Sequence, residues 1–250
     1  MHFFVMSKKN TQRVVARVYG VQVLKMSYAK HLAAEGIGTA LILTAVVGSG
    51  IMAERLAGGN QALALLANAI ATGASLIALI LTFESVSGSH FNPLVTLSAV
   101  WMGQLAWKKA PGIMVVQFLG AYIGVFIANI MFDLPVYYPS EHIRTGMGQW
   151  LSEIVATFGL IIVILGCTRS KPQYTPFAVG AYITGAYWFT ASTSFANPAV
   201  TLARSASNTF AGIRFIDTPL FMVMQILGSF LAVRLFKWFN HKEIKESVIL

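Results

Sequence analysis

Charge is what this chain has least of. Charged residues are only 11% of 250, and nine acidic side chains face 18 Lys and Arg. So few charges do not solvate the surface of a soluble domain, and 56% hydrophobic residues with a mean hydropathy of +0.67 place the chain among integral membrane proteins. A single cysteine, Cys167, leaves no disulfide framework and no multi-cysteine metal site. No nucleophile paired with a base, phosphate-binding loop or cluster of metal-ligating residues stands out, so neither an enzyme nor a cofactor is expected. The stretch before His31 has no long apolar core and no cleavage signal, so no signal peptide is expected, and Met6 and Met26 are alternative starts.

The net charge of +9 raises the question of nucleic acid, which the position of the charges answers. Lys8, Lys9, Arg13, Arg17, Lys25 and Lys30 precede the first apolar run. Lys108, Lys109, Arg169 and Lys171 lie between later runs, and Lys237, Lys242 and Lys245 lie near the end. This alternation is the positive-inside pattern, with both termini cytoplasmic and the basic tail facing anionic lipid; no nucleic-acid partner is expected. Arg55 and Arg144 fall on the other side, so the pattern is a bias.

Apolar runs of about 20 residues fall near 32–53, 62–83, 112–132, 150–168, 175–193 and 219–238. Two shorter segments follow the second and the fifth, Asn92-Pro93-Leu94-Val95-Thr96-Leu97 and Asn197-Pro198-Ala199-Val200-Thr201-Leu202. Each reads as a helix start, with Asn as N-cap and Pro at the first helical position. A helix from Asn92 to Gly103 is about 15 Å long, half of a hydrocarbon core of roughly 30 Å. A matched pair of half-helices at membrane depth is tolerated where it lines a watery cavity. The chain thus divides into an N-terminal tail 1–30, a channel domain 31–240 with repeats near 31–134 and 149–240, and a C-terminal tail 241–250. Three spans reverse direction, so the second repeat is inverted. The predicted fold class is an all-α membrane protein with six transmembrane helices plus two re-entrant half-helices.

Two half-helices meeting N-terminus to N-terminus aim positive dipole ends and free N–H groups at one place, where cations are repelled. Asn92 and Asn197, their oxygens spent as caps, keep amide N–H groups for a passing hydroxyl. A neutral hydroxylated solute is therefore favoured, and proton hopping is impeded. Glu35 and Glu153 begin matching Glu-x-x-x-Thr segments in the first and fourth spans. As buried carboxylates they are read as scaffold acceptors for the irregular backbone before each half-helix, in preference to proton sites of a coupled carrier. His90 is read as a hydrogen-bonded loop histidine and not a metal ligand.

Taken together, the paired Asn-Pro segments, the Ser-Gly-x-His-Phe lead-in at Ser87 to Phe91, and the Glu-x-x-x-Thr pair resemble the aquaporin, or major intrinsic protein, family, from about Leu32 to Phe239. The resemblance implies homotetramers with one passive pore per subunit. It places Asn92, Pro93, Leu94, Asn197, Pro198 and Ala199 at the pore centre, with Leu94 replacing the usual Ala. Most members carry Arg immediately after the second Asn-Pro-Ala, as part of an outer filter; here that position is Val200, and the other filter positions fall on Thr72, Tyr187 and Ser194. The valine variant is similar to bacterial channels linked to arsenic resistance, which implies passage of water, glycerol-like polyols and metalloid hydroxides such as arsenite in a bacterial inner membrane. A water-selective channel is the alternative. Arg204, four residues after Val200, either reaches back toward the constriction or snorkels to the outer mouth, and the mouth is the expected place.

Overall fold

The computed structural model of the chain describes residues 27–241, so both predicted tails lie largely outside the described residues. Among the described residues five helices have the length and apolarity to cross a membrane: α1 (Tyr28–Leu56), α2 (Gln61–Ser87), α4 (Ala110–Met131), α5 (Met147–Ser170) and α8 (Thr218–His241). The remaining expected span is shorter. α6 (Thr175–Phe189) has 15 residues, about 22 Å of helix; it stops four residues before the predicted end because Thr190 turns to an extended conformation, its hydroxyl tied back to the Ala186 carbonyl at 2.6 Å. The two half-helices are α3 (Pro93–Trp101) and α7 (Pro198–Ala203), and the second is only six residues long before a 3-10 turn at Arg204–Ala206.

Apolar surface alone does not hold helices together in lipid, so close backbone approach has to. Side chains added at Gly120 or Gly124 would strike the backbone of α1 at Gly36 and Ala40, and one at Gly228 would strike α5 at Ile154. α1 therefore lies on α4 as α5 lies on α8, the same pairing in each repeat. The repeats are joined where α2 crosses α6, with Gly73 against Gly180. Gly88, at φ 83°, ends α2 in the left-handed conformation and turns the chain into the segment that precedes α3.

Tyr28 at the start of α1 donates to the carbonyl of Lys109 at the start of α4 (2.8 Å), so the basic residues Lys108 and Lys109 share the membrane side on which the described chain begins. At the opposite side the 132–146 connection folds inward. Tyr138 and Ser140 donate backbone bonds of 3.0 and 2.9 Å to Ala206 and Ser205, which roofs the end of α7.

Candidate functional site

Before each half-helix the backbone leaves regular structure at a depth where water cannot satisfy it. Ser89, Phe91, Thr193, Ser194 and Ala196 all hold positive φ, between 48° and 62°. Such conformations cost about 1–3 kcal/mol each for non-glycine residues and persist only where their surroundings impose them. Glu35 and Glu153 impose them. Glu35 accepts the N–H groups of His90 (2.9 Å) and Phe91 (2.7 Å), and Glu153 those of Phe195 (3.0 Å) and Ala196 (2.9 Å). Both carboxylates are wholly buried. Because N–H and C=O point opposite ways across a trans peptide, fixing these N–H groups outward turns the carbonyls of Ser89, His90, Ser194 and Phe195 toward the cavity that those residues line.

A further pair of side chains completes each cradle. Gln117 donates to Glu35 (2.9 Å) and to the Thr96 hydroxyl (3.0 Å), and Gln225 donates to Glu153 (2.6 Å) and Thr201 (2.7 Å), so each glutamine ties a span to its half-helix. The sequence reading missed both. Their signal was present, since Gln117-Phe-Leu-Gly120 recurs as Gln225-Ile-Leu-Gly228 in the third and sixth spans. His90 sits beside the first cradle with Nδ1 3.1 Å from the Thr96 hydroxyl, a hydrogen-bonded loop residue that also lines the cavity.

Each asparagine acts as the cap that its sequence position suggests. The Asn92 oxygen accepts from Leu94 N–H at 2.8 Å, and that of Asn197 from Ala199 and Val200 at 2.9 and 3.3 Å. The amide nitrogens do something that was not foreseen. Asn92 donates to the Ala196 carbonyl (2.8 Å) and Asn197 to the Phe91 carbonyl (2.9 Å), so one hydrogen of each amide ties its repeat to the other. An amide has two hydrogens, and the second remains for the cavity that both asparagines line.

That cavity, of about 200 Å³, has residues near the ends of α2 and α5 at one extreme, Glu84 and Thr168, and Arg204 at the other. Its polar lining includes the lead-in residues with their turned-out carbonyls, the two asparagines, and Thr72 and Tyr187, whose hydroxyls are 3.2 Å apart. The spans add apolar lining, with Val46, Leu76, Ile80, Leu160, Val179 and Ile183. Ser194 and Val200 also line it, so all four positions assigned to the filter line one cavity. Pro93, Leu94, Pro198 and Ala199 do not line it. All four are buried in the first turn of their half-helices.

Arg204 requires the larger correction. It does not snorkel to the mouth; it is 2% exposed and lines the cavity together with Tyr187 and Val200. α7 ends at Ala203, and the tighter turn that follows carries the side chain inward. Its Nε donates to the Ala211 carbonyl, and its guanidinium lies 3.5 Å from the Phe195 ring centre. Arg144, from the roofing connection, is buried on the same ring at 5.0 Å. Its donors go to the carbonyls of Gly212 (2.7 Å), Ser192 (3.2 Å) and Phe210 (3.5 Å), so they hold the carbonyls before and after that of Ala211. Burial pushes the Arg144 guanidinium down to about 10, still well above neutrality, so it stays charged.

Comparison with known proteins agrees with this geometry. The pattern of the Major intrinsic protein family matches residues 22–191, stopping short of the second Asn-Pro copy. The chain is 50% identical over 209 residues to "Aquaglyceroporin AqpS" of Rhizobium meliloti (strain 1021), covering 84% of this chain and 89% of that protein. It is 28% identical over 156 residues to a "Probable glycerol uptake facilitator protein" of Thermotoga maritima, covering 55% of this chain and 64% of the relative. Among solved structures it is similar in fold to the aquaglyceroporin from Plasmodium falciparum, with a TM-score of 0.70 and 18% identity over 88% of this chain and 99% of that one. With a family match along most of its length and a relative at half identity, the chain belongs to the major intrinsic protein family, as a membrane channel for small solutes and not an enzyme.

Proposed function

We propose that this channel passes small uncharged hydroxylated solutes, water and glycerol-like polyols and metalloid hydroxides such as arsenite, passively through one pore per subunit. The observation that carries this reading is a cavity lined by both half-helix asparagines and the lead-in residues together with apolar side chains of the spans. A solute that slides along it exchanges its water for carbonyl acceptors, amide donors and dry contact. An ion finds no replacement for its full hydration shell and meets two helix N-termini. The relative named an aquaglyceroporin supports the same solute class. The carrier reading has less to stand on, since the described donors already occupy both oxygens of Glu35 and of Glu153.

In this proposal Asn92 and Asn197 are the central donors and Thr72, Tyr187, Ser194 and Val200 belong to the constriction. Glu35, Glu153 and His90 hold the lead-in segments. The assembly is a homotetramer in a bacterial plasma membrane, with both termini cytoplasmic. The test is stopped-flow permeability of proteoliposomes for water, glycerol and arsenite on one purified preparation. All three should exceed the protein-free control, and a preparation that raises none of them overturns the proposal.

The width of the constriction has its own test. Val200→Arg inserts a long charged fork where a short apolar side chain now stands. Glycerol and arsenite permeability should fall at least tenfold, about 1.4 kcal/mol of added barrier, while more of the water flux survives. An unchanged solute-to-water ratio would show that residue 200 does not narrow the path.

A further inference from the structure

We infer that Arg204 is the specificity-determining residue of the constriction, delivering from the turn after α7 the cation that the resemblance looked for at Val200. This inference rests on the channel reading above. It begins from how the guanidinium is spent. Nε is used on the Ala211 carbonyl, and one flat face is used on the Phe195 ring. The two terminal nitrogens carry four N–H donors. Among the described residues they have no acceptor in the protein, and they are not among the polar atoms sealed from solvent, so they open on the cavity that Arg204 lines. Among the described residues no carboxylate lies within ion-pair distance of Arg204 either; Asp217 is paired with Arg214, at 3.0 Å. A charged side chain that is 2% exposed, neutralised by nothing and holding free donors needs whatever occupies the cavity as its partner.

The location decides what that partner is. Tyr187 and Val200 line the same cavity, as does Ser194. A solute there meets a planar fork of N–H groups. A molecule with two or more oxygens fills the fork, whereas water fills half of it. The fixed charge, meanwhile, opposes any cation or proton that passes beside it. Charge and fork are separable roles, and a lysine keeps the first while losing the second.

The experiment measures glycerol and water permeability and monovalent-cation leak in proteoliposomes for wild type, Arg204→Ala, Arg204→Lys and the control Arg55→Lys. Arg55 lies on the same membrane side, bonded to the Phe132 carbonyl at 2.8 Å and away from the cavity. Arg204→Ala should lower the glycerol-to-water ratio at least fivefold and admit cations. Arg204→Lys should give an intermediate ratio with no cation leak, and Arg55→Lys should behave as wild type. If the alanine variant does not assemble, the lysine variant decides by its ratio alone. A ratio for Arg204→Lys within error of Arg55→Lys overturns the inference and leaves Arg204 a structural residue. A wild type without glycerol flux would instead sink the channel reading on which it rests.

Discussion

Glu153→Ala is expected to abolish assembly of a stable channel. The substitution strands the N–H groups of Phe195 and Ala196 and removes one of the two acceptors of the Gln225 amide, at a wholly buried position. A stranded buried donor costs about 1–3 kcal/mol, so the two backbone groups alone account for about 2–6 kcal/mol. The positive φ of Ala196 loses its support as well. Net stabilities are of order 5–15 kcal/mol, so the loss is a large share of the whole. Glu153→Gln should fall between. Its amide nitrogen must face either Phe195 N–H or Ala196 N–H, both fixed donors, so one of them is stranded whichever way the group turns. The measurement is the yield of monodisperse protein in detergent and its thermal midpoint. An alanine variant as stable as wild type would show that the carboxylate is not what holds the lead-in segment. Glu35→Ala should behave likewise, since Glu35 accepts from Ser87, His90, Phe91 and Gln117.

Replacing either central asparagine by leucine is expected to stop flux even where the protein assembles. Asn92→Leu removes a helix cap worth about 0.5–2 kcal/mol, the bond to the Ala196 carbonyl across the repeat interface, and the donor left for the solute. It also adds branched apolar bulk beside the cavity. Water and glycerol permeability per reconstituted protein should both drop at least tenfold, and Asn197→Leu should match it by the symmetry of the site. Asn92→Asp is a sharper probe: it keeps the cap oxygen but sets a carboxylate against the Ala196 carbonyl, where no donor remains to bridge them. It too should lose most flux. Wild-type permeability in both leucine variants, with normal assembly, would remove the asparagine pair from the centre of the site.

Much of this architecture is legible in one sequence because its determinants are local and occur twice. Helix starts at Pro93 and Pro198 follow from an N-cap and a proline. The carboxylates declared themselves by standing in apolar spans at matching positions. Where the reading fell short, the missing information was not local. Pro93, Leu94, Pro198 and Ala199 stand next to the asparagines in sequence, yet only the asparagines are lining residues of the cavity, and how each half-helix is turned toward it depends on distant segments. α6 ends at Phe189 although the residues that follow are still compatible with a span, because Thr190 leaves the helix to begin the lead-in toward Glu153.

The sequence by itself determined that this is a membrane protein of two inverted halves, each broken at an Asn-Pro start, with a scaffold carboxylate in its first span. Those features follow from hydropathy, capping and repetition, which act within a few residues of chain. Only the tertiary structure decided where the guanidiniums go. Arg144 and Arg204 have the composition of surface residues. Both are buried because distant segments come to meet them: the Phe195 ring, and three successive carbonyls of the loop after α7, those of Phe210, Gly212 and Ala211 between them. A buried charge is stable where its surroundings supply acceptors, and acceptors on the backbone carry no residue-specific signature that a sequence can display.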